Sequence, residues 1–352
     1  MQKEHNKQLN ADFHFTATGI GSVPSTDIRE TCHYILDHFS QIPFWPQFVK
    51  RSPLEDMCIQ FCEGLPLLEV DEQRRSLTVS KEDRETALLN FYEHLLAEDL
   101  SYFAVTPAYA PGLYRIIESV EKQKDRFGAY IKGHTVGPVT FAAGIADNDG
   151  KSVLYDPELL EALVKGLAIK ALWQVTELGR TGRKPIIFFD EPSLSGFGSA
   201  FSPIQRHKVI GMFREIFQYM RERSNALLGI HCCGNTDWSM ILETGPDIVN
   251  FDAFGYMDYF LLYPDEISRY IRDGGIIAWG IVPTLQFTGT ETLESLSSRL
   301  QEGLDRFCEW GLDPETVKSC SLLTPACGLG TMDQVSADRA LDLLSRLSAT
   351  MQ

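Results

Sequence analysis

The sequence predicts an α/β protein, a (β/α)8 TIM barrel in a single domain with an insertion after the first strand. Three observations carry this. Short β-branched or aromatic runs alternate with amphipathic helical segments, each run ends in a polar or glycine-bearing turn, and eight such runs can be counted. Strands that alternate with helices imply a parallel sheet covered on both faces. Eight repeats are the number that closes such a barrel. An open doubly wound sheet is the structural alternative, but "GIGS" lacks the third glycine and the acidic follow-up of a dinucleotide-binding turn.

In chain order the predicted strands are "ATGIGSVP" (17–24), "YFAVTP" (102–107), "AYIKGHTVGP" (129–138), "PIIFFDEP" (185–192), "LLGIHCC" (227–233), "DIVNFDAF" (247–254), "GIIAWGIVP" (275–283) and "SLLTPACGLG" (321–330). Helical periodicity marks 84–98, 157–180, 203–223, 291–310 and 334–348. Asp156 and Pro157 suit the cap and first turn of one helix, and Gly179 suits its end. Residues 41–80, with "IPFWPQF", form the insertion, read as a rim over the barrel mouth in which Phe44 and Trp45 pack. The barrel core runs over 15–345, and the whole of 1–352 is read as one domain.

Composition narrows the function. A chain of 352 residues that is 44% hydrophobic and 23% charged can bury a sizeable core. A net charge of -16 argues against a nucleic-acid partner, because that affinity rests on cationic side chains neutralising phosphates. The N-terminus lacks the apolar stretch of an export signal and no segment could span a bilayer, so the expectation is a cytoplasmic protein without a membrane partner. Its eight cysteines are then reduced thiols. Cys32, Cys58, Cys62, Cys308 and Cys320 fall in helical or pre-strand patterns and read as small apolar filler.

In a barrel of this kind, chemistry gathers where strands end. The predicted strands end in Ser22, Thr106, His134, Asp190 with Glu191, His231 with Cys233, Asp252, and Cys327. Residues i and i+2 of a strand share a face, so H-x-C puts His231 and Cys233 together while Cys232 points away. Cys327 adds a second thiol beside glycines that let the backbone turn. One imidazole and two thiolates suit zinc better than magnesium or calcium, and Asp252 could add a carboxylate. Three ligands with a replaceable fourth position describe a catalytic rather than a structural zinc.

"GIGSVP", "WPQ", "GPVTF", "FFDEPSL", "HCCGN" and "TPACGLG" together resemble the zinc-dependent methyltransferases of the uroporphyrinogen decarboxylase and methionine synthase superfamily. They are similar above all to the catalytic C-terminal barrel of cobalamin-independent methionine synthase; H-x-C-G-N also resembles methylcobamide:coenzyme M methyltransferases. The resemblance implies zinc on His231, Cys233 and Cys327, with Asp252 standing where the family has glutamate. It places an amino-acid carboxylate at Ile20, Gly21 and Ser22 and its amine at Asp190, with Glu191 adjoining. "KRSPLEDM" has no acid where the family holds its other amine-binding glutamate. The chain also has no room for the additional N-terminal barrel of folate-using synthases. The implied donor is therefore a methylcorrinoid, free or on a corrinoid protein, and the implied acceptor is a small thiol such as homocysteine.

Methyl transfer to sulfur is an attack by thiolate, and an ordinary thiol is mostly protonated at neutral pH. Two cysteinates on zinc balance its charge and leave a bound sulfur electron-rich. His134 is the candidate for orienting substrate, and Lys132 also faces the presumed site. Asp190 and Glu191 are neighbours on a strand, so at most one of them enters the site, and Asp190 is the choice. The alternatives are methyltetrahydrofolate as donor, a porphyrinogen decarboxylase, which needs no metal, and a non-catalytic zinc- or corrinoid-interacting protein. The chain lacks the D-x-H-x-x-G pattern of corrinoid carriers. The oligomeric state is left open.

Overall fold

The computed structural model describes residues 12–147, 149–198 and 204–352. The N-terminal residues 1–11, expected to carry no export signal, and the first residue of the expected 203–223 helix lie outside them. Six of the eight predicted runs form strands of one parallel sheet, and the first, 17–24, joins it through Ala17 alone. Its strands are β1 (Thr16–Ala17), β2 (Tyr130–Val136), β3 (Lys184–Asp190), β4 (Leu227–Cys232), β5 (Ile248–Phe251), β6 (Ile276–Val282) and β7 (Ser321–Pro325). They lie in the order β1-β7-β6-β5-β4-β3-β2, every neighbouring pair parallel.

Period-two alternation divides the apolar side chains between two cores. Ile187, Phe189, Leu228, Ile230, Val249, Phe251, Ile277 and Leu323 pack into the large core that includes the helices. Their strand neighbours Ile186, Phe188, Leu227, Ile248, Ile276, Ala278 and Leu322 meet on the inner face, with Phe13, Ile20 and Ile42. Burial on both faces is why these strands read as nearly continuous apolar runs. The predicted helices occur as Arg84–Leu96, Pro157–Gly179, Arg206–Arg223, Leu293–Glu309 and Gln334–Met351. Asp156 caps the second of these by accepting from the Leu159 N–H, and Pro157 takes the first turn, where its missing donor costs nothing.

The expected eight-stranded sheet is corrected here, because residues 102–107 form no strand. Their amides are already used: Tyr102 N–H bonds Asp99 O at 3.1 Å, Ala104 N–H bonds Ser101 O at 3.4 Å, and Thr106 N–H bonds Glu63 Oε2 at 2.7 Å. The groove between the edge strands is occupied by 43–47 instead. Lys132 N–H of β2 donates to Pro43 O at 2.8 Å, and on the β1 side Gln47 N–H donates to Gly21 O at 3.0 Å and Val23 N–H to Gln47 O at 2.9 Å. Phe44, Trp45 and Phe48 are accordingly buried. The rest of the 41–80 stretch includes a hairpin, Leu68–Asp71 with Ser76–Val79, which pairs with Ile145–Ala146 as a separate three-stranded sheet. No helix of the described residues is long and apolar enough to cross a membrane.

Candidate metal centre

Above the apolar layer of the inner face, the same alternation places polar side chains at the strand ends. Leu227 and Gly229 are followed on that face by His231 and Cys233, Ile248 by Asn250 and Asp252, Phe188 by Asp190, and Tyr130 by Lys132 and His134. Strand register aligns them, with His134 opposite Phe188, Asp190 opposite His231, and His231 opposite Asn250. At the end of β7 the register with β6 shifts between Thr324 and Pro325, after which the chain turns into Cys327.

His231, Cys233 and Cys327 come together. One ligand atom from each lies within 4.8 Å of the others, with His231 buried and both cysteines partly exposed. Zn–S bonds of about 2.3 Å and Zn–N bonds of about 2.0 Å set tetrahedral ligand atoms roughly 3.5–4 Å apart, so the three fit one zinc with small adjustments. Their electrostatics agree. The hydrogen bond from Cys327 outweighs burial and, with the hydrogen bond and charge of His231, holds the Cys233 thiol down at about 4. The same hydrogen bond, burial and the Cys233 charge push Cys327 far above the usual thiol range. The lowered Cys233 and the raised Cys327 describe a thiolate accepting from a thiol, one proton between two sulfurs.

Asn250 fixes the histidine's chemistry. Its side-chain NH2 donates to Ala278 O at 2.8 Å and to Thr324 Oγ1 at 2.8 Å, which leaves Asn250 Oδ1 as the acceptor facing His231 Nδ1. Nδ1 must therefore carry a proton, which leaves Nε2 as the ring atom toward the thiols, a donor to Cys233 while the imidazole is protonated and a ligand for a metal once that proton leaves. Burial pushes His231 down, but the Cys233 hydrogen bond and charge, Asp190 and Asn250 raise it overall.

Asp252 stands outside the three-residue group. Its Oδ1 accepts from Gly255 N–H at 2.7 Å, and burial raises its carboxyl. Asp190 Oδ1 is buried without a hydrogen-bond partner among the described residues. Burial raises Asp190 to about 6 against the opposing charges of His231 and Lys132. Glu191, on the other face, is spent on the helix Pro138–Ala143: Oε1 accepts from Val139 N–H at 2.8 Å, and Oε2 from Thr140 N–H at 2.8 Å and Thr140 Oγ1 at 2.6 Å. Lys132, fully buried, donates to Ile20 O at 2.5 Å and lies 4.4 Å from the Phe188 ring centroid. Burial brings its ammonium down to about 7. His134 stacks on Trp45 with centroids 3.9 Å apart.

Gly21 and Ser22 each make a close approach. A Cβ on Gly21 would lie 2.5 Å from His134 Cε1. Ser22 docks the loop that carries Cys327: Leu329 N–H donates to Ser22 O at 2.9 Å and Gly330 N–H to Ser22 Oγ at 3.3 Å. A Cβ on Gly328 would sit 2.1 Å from Ser22 Oγ, so any larger residue there would push that hydroxyl off its bond to Gly330 N–H.

No protein-family model matches the chain, and no curated protein matches its sequence. Among solved structures, it is similar to a B12-independent methionine synthase from Shewanella sp. W3-18-1 in complex with selenomethionine, at 18% identity over 66% of this chain and 65% of that chain, with a TM-score of 0.46. It is also similar to the GH113 β-mannanase AaManA from Alicyclobacillus acidocaldarius in complex with ManMIm, at 11% identity over 68% of this chain and 79% of that one, with a TM-score of 0.35. Scores of this size establish no kinship, and the chemistry of the centre rests on its own side chains.

Sequence reasoning missed Asn250 and Thr324, the residues that set the His231 tautomer. The signal was an asparagine inside the apolar run "DIVNF", two residues before Asp252 and so on the same face.

Proposed function

We propose that this chain is a zinc-dependent methyltransferase that moves a methyl group from a methylcorrinoid, free or protein-bound, to a small thiol such as homocysteine. The observation that carries the proposal is the convergence of His231, Cys233 and Cys327, with Asn250 engaging Nδ1 of His231 so that Nε2 is the ring nitrogen left for a metal. A ligand set of one imidazole and two thiols selects zinc over hard cations. The sequence resemblance to zinc methyltransferases points to the same three residues.

Zinc bound there would lower the acceptor thiol's pKa so that it is a thiolate at neutral pH. The two cysteinates offset the metal's charge, which disfavours hydrolytic chemistry and keeps an incoming sulfur nucleophilic. With a methylcorrinoid as donor substrate, the acceptor sulfur would bond the methyl carbon as the methyl–cobalt bond broke, the electron pair would stay on the corrinoid and the thiol proton would pass to solvent. Asp252, near the group, is the residue we assign to a fourth protein contact. Asp190, with its unpartnered oxygen, is assigned to an acceptor amine, and Ser22 keeps the Cys327 loop seated.

Two measurements test this. Purified protein should hold close to one zinc per chain, and Cys233→Ser and Cys327→Ser should lose most of it; folded, metal-free wild type would overturn the proposal. Mixing the protein with methylcobalamin and homocysteine should shift the corrinoid spectrum as methyl leaves cobalt. Turnover of methyltetrahydrofolate without any corrinoid change would reassign the donor.

A further inference from the structure

His134 is 2% exposed, and neither Nδ1 nor Nε2 has a hydrogen-bond partner among the described residues. Buried polar atoms are paired in nearly all native structures, so an imidazole with two orphaned nitrogens calls for a partner. The ring cannot swing to find one within the protein. Trp45 covers it at 3.9 Å with planes 24° apart, and Gly21 lies against it so closely that a Cβ would come 2.6 Å from Nδ1. Trp45 is itself anchored by Nε1 donating to Gln174 Oε1 at 2.9 Å, and Gln174 Nε2 donates back to His134 O at 2.9 Å. The imidazole is held in one place.

Its surroundings state what it would bind. Lys132, two residues earlier on the same face of β2, is buried and cationic below about 7, and burial, helped by that charge, keeps His134 neutral, with one N–H to give. A local cation beside a hydrogen-bond donor favours an anionic group and repels an ammonium. Asp190, whose Oδ1 is also unpartnered, lies on the adjacent strand β3 and has the opposite preference. One strand beyond is His231 of the metal group. Strands about 4.8 Å apart put β2 roughly 10 Å from β4, a span suited to a small amino-acid thiol laid across the sheet.

We propose that His134 is a specificity-determining residue that donates its N–H to the carboxylate of the acceptor, so that the site selects thiols carrying a carboxylate. The naming of the acceptor as a thiol rests on the methyltransferase reading; the carboxylate contact does not.

The test compares calorimetric binding of homocysteine and of aminopropanethiol, the same thiol without its carboxylate, to the protein as purified. Wild type should prefer homocysteine by about 10- to 100-fold, the size of a hydrogen bond to a charged group. His134→Phe keeps the stack on Trp45 and should bring the two thiols to within about threefold, while His134→Gln, which retains an N–H donor, should restore part of the preference. Should His134→Phe fail to fold, His134→Leu is read in the same way. Equal binding of both thiols by wild type, or an undiminished preference in the variant, overturns the inference. Discrimination in binding without turnover of any methyl donor keeps this inference and removes the methyltransferase reading; turnover with an undiminished preference in the Phe variant does the reverse.

Discussion

Replacing Asn250 by alanine should loosen the metal centre without touching a ligand. Asn250 is fully buried, and its amide joins His231 Nδ1, Ala278 O and Thr324 Oγ1. Alanine removes all three partnerships at once and leaves a ring N–H, a carbonyl and a hydroxyl unpaired in a dry layer. Each such group costs about 1–3 kcal/mol, though relaxation and the hydroxyl's free rotation keep the total near 2–4 kcal/mol of folding stability. The loss in zinc affinity is a separate quantity. Without an acceptor at Nδ1 the imidazole can adopt either tautomer and can tilt, and loss of such an outer partner typically weakens metal binding about 10- to 100-fold. Competition against a chromophoric chelator measures the affinity, and urea unfolding of the metal-free protein measures the stability. Thr324→Val is the control: it takes one acceptor from Asn250 but leaves the bond to His231, so it should cost about 1 kcal/mol and change zinc affinity by less than tenfold. A folded Asn250→Ala protein with wild-type zinc affinity would refute the assignment of Nε2 as the ligand atom.

In metal-free protein at pH 6, Cys233 should be alkylated by iodoacetamide well ahead of Cys232, because it is already a thiolate above about 4, and added zinc should protect it. A labelling midpoint near an ordinary thiol value would contradict the shared-proton arrangement. Glu191 is raised by burial to about 7 from a usual 4.5, so its favourable contribution is complete below 4.5 and is lost as pH rises through 7. Relative to Glu191→Gln, wild type should lose stability between those values by an amount on the order of 3 kcal/mol, read as the change in the difference between the two proteins with pH; a pH-independent difference would show that the donors at Val139 and Thr140 offset burial. Gly21→Ala should destabilise by about 1–3 kcal/mol through overpacking on His134. In a His134→Ala background the clash partner is gone, and the same substitution should become neutral or stabilising by up to about 1 kcal/mol through the unfolded chain. Additive effects across that cycle would place the cost elsewhere.

Local pattern was enough where local pattern decides structure. Six apolar runs buried on both faces became strands, while 17–24 contributes only Ala17, and H-x-C placed His231 and Cys233 on one face because the pleat repeats every two residues. The same alternation separated Asp190 from Glu191, and the structure shows what it could not, that Glu191 serves the start of helix Pro138–Ala143. The misplaced element was the second strand. "YFAVTP" has the composition of a strand, whereas 43–47 contains Pro43 and Pro46, which argue against one. Which of two segments fills a gap between distant edges depends on free carbonyls and amides supplied by Gly21 and Lys132, and no local window contains both. The tautomer of His231 was hidden for a related reason, since Asn250, Ala278 and Thr324 come from three strands that only register brings side by side.

The docking of the Cys327 loop on Ser22 has a bearing on biogenesis. One sulfur of the centre is delivered by the final strand, and its seat is prepared by the opening one. A nascent chain emerging from the ribosome therefore holds none of the three groups until His231 and Cys233 are made, and only an imidazole and one thiol of the centre from there until Cys327, too few to capture a metal firmly. If the centre takes zinc as proposed, loading would be a late checkpoint on complete folding, and a polypeptide stalled or clipped ahead of β7 should emerge with most of its sheet strands and no metal.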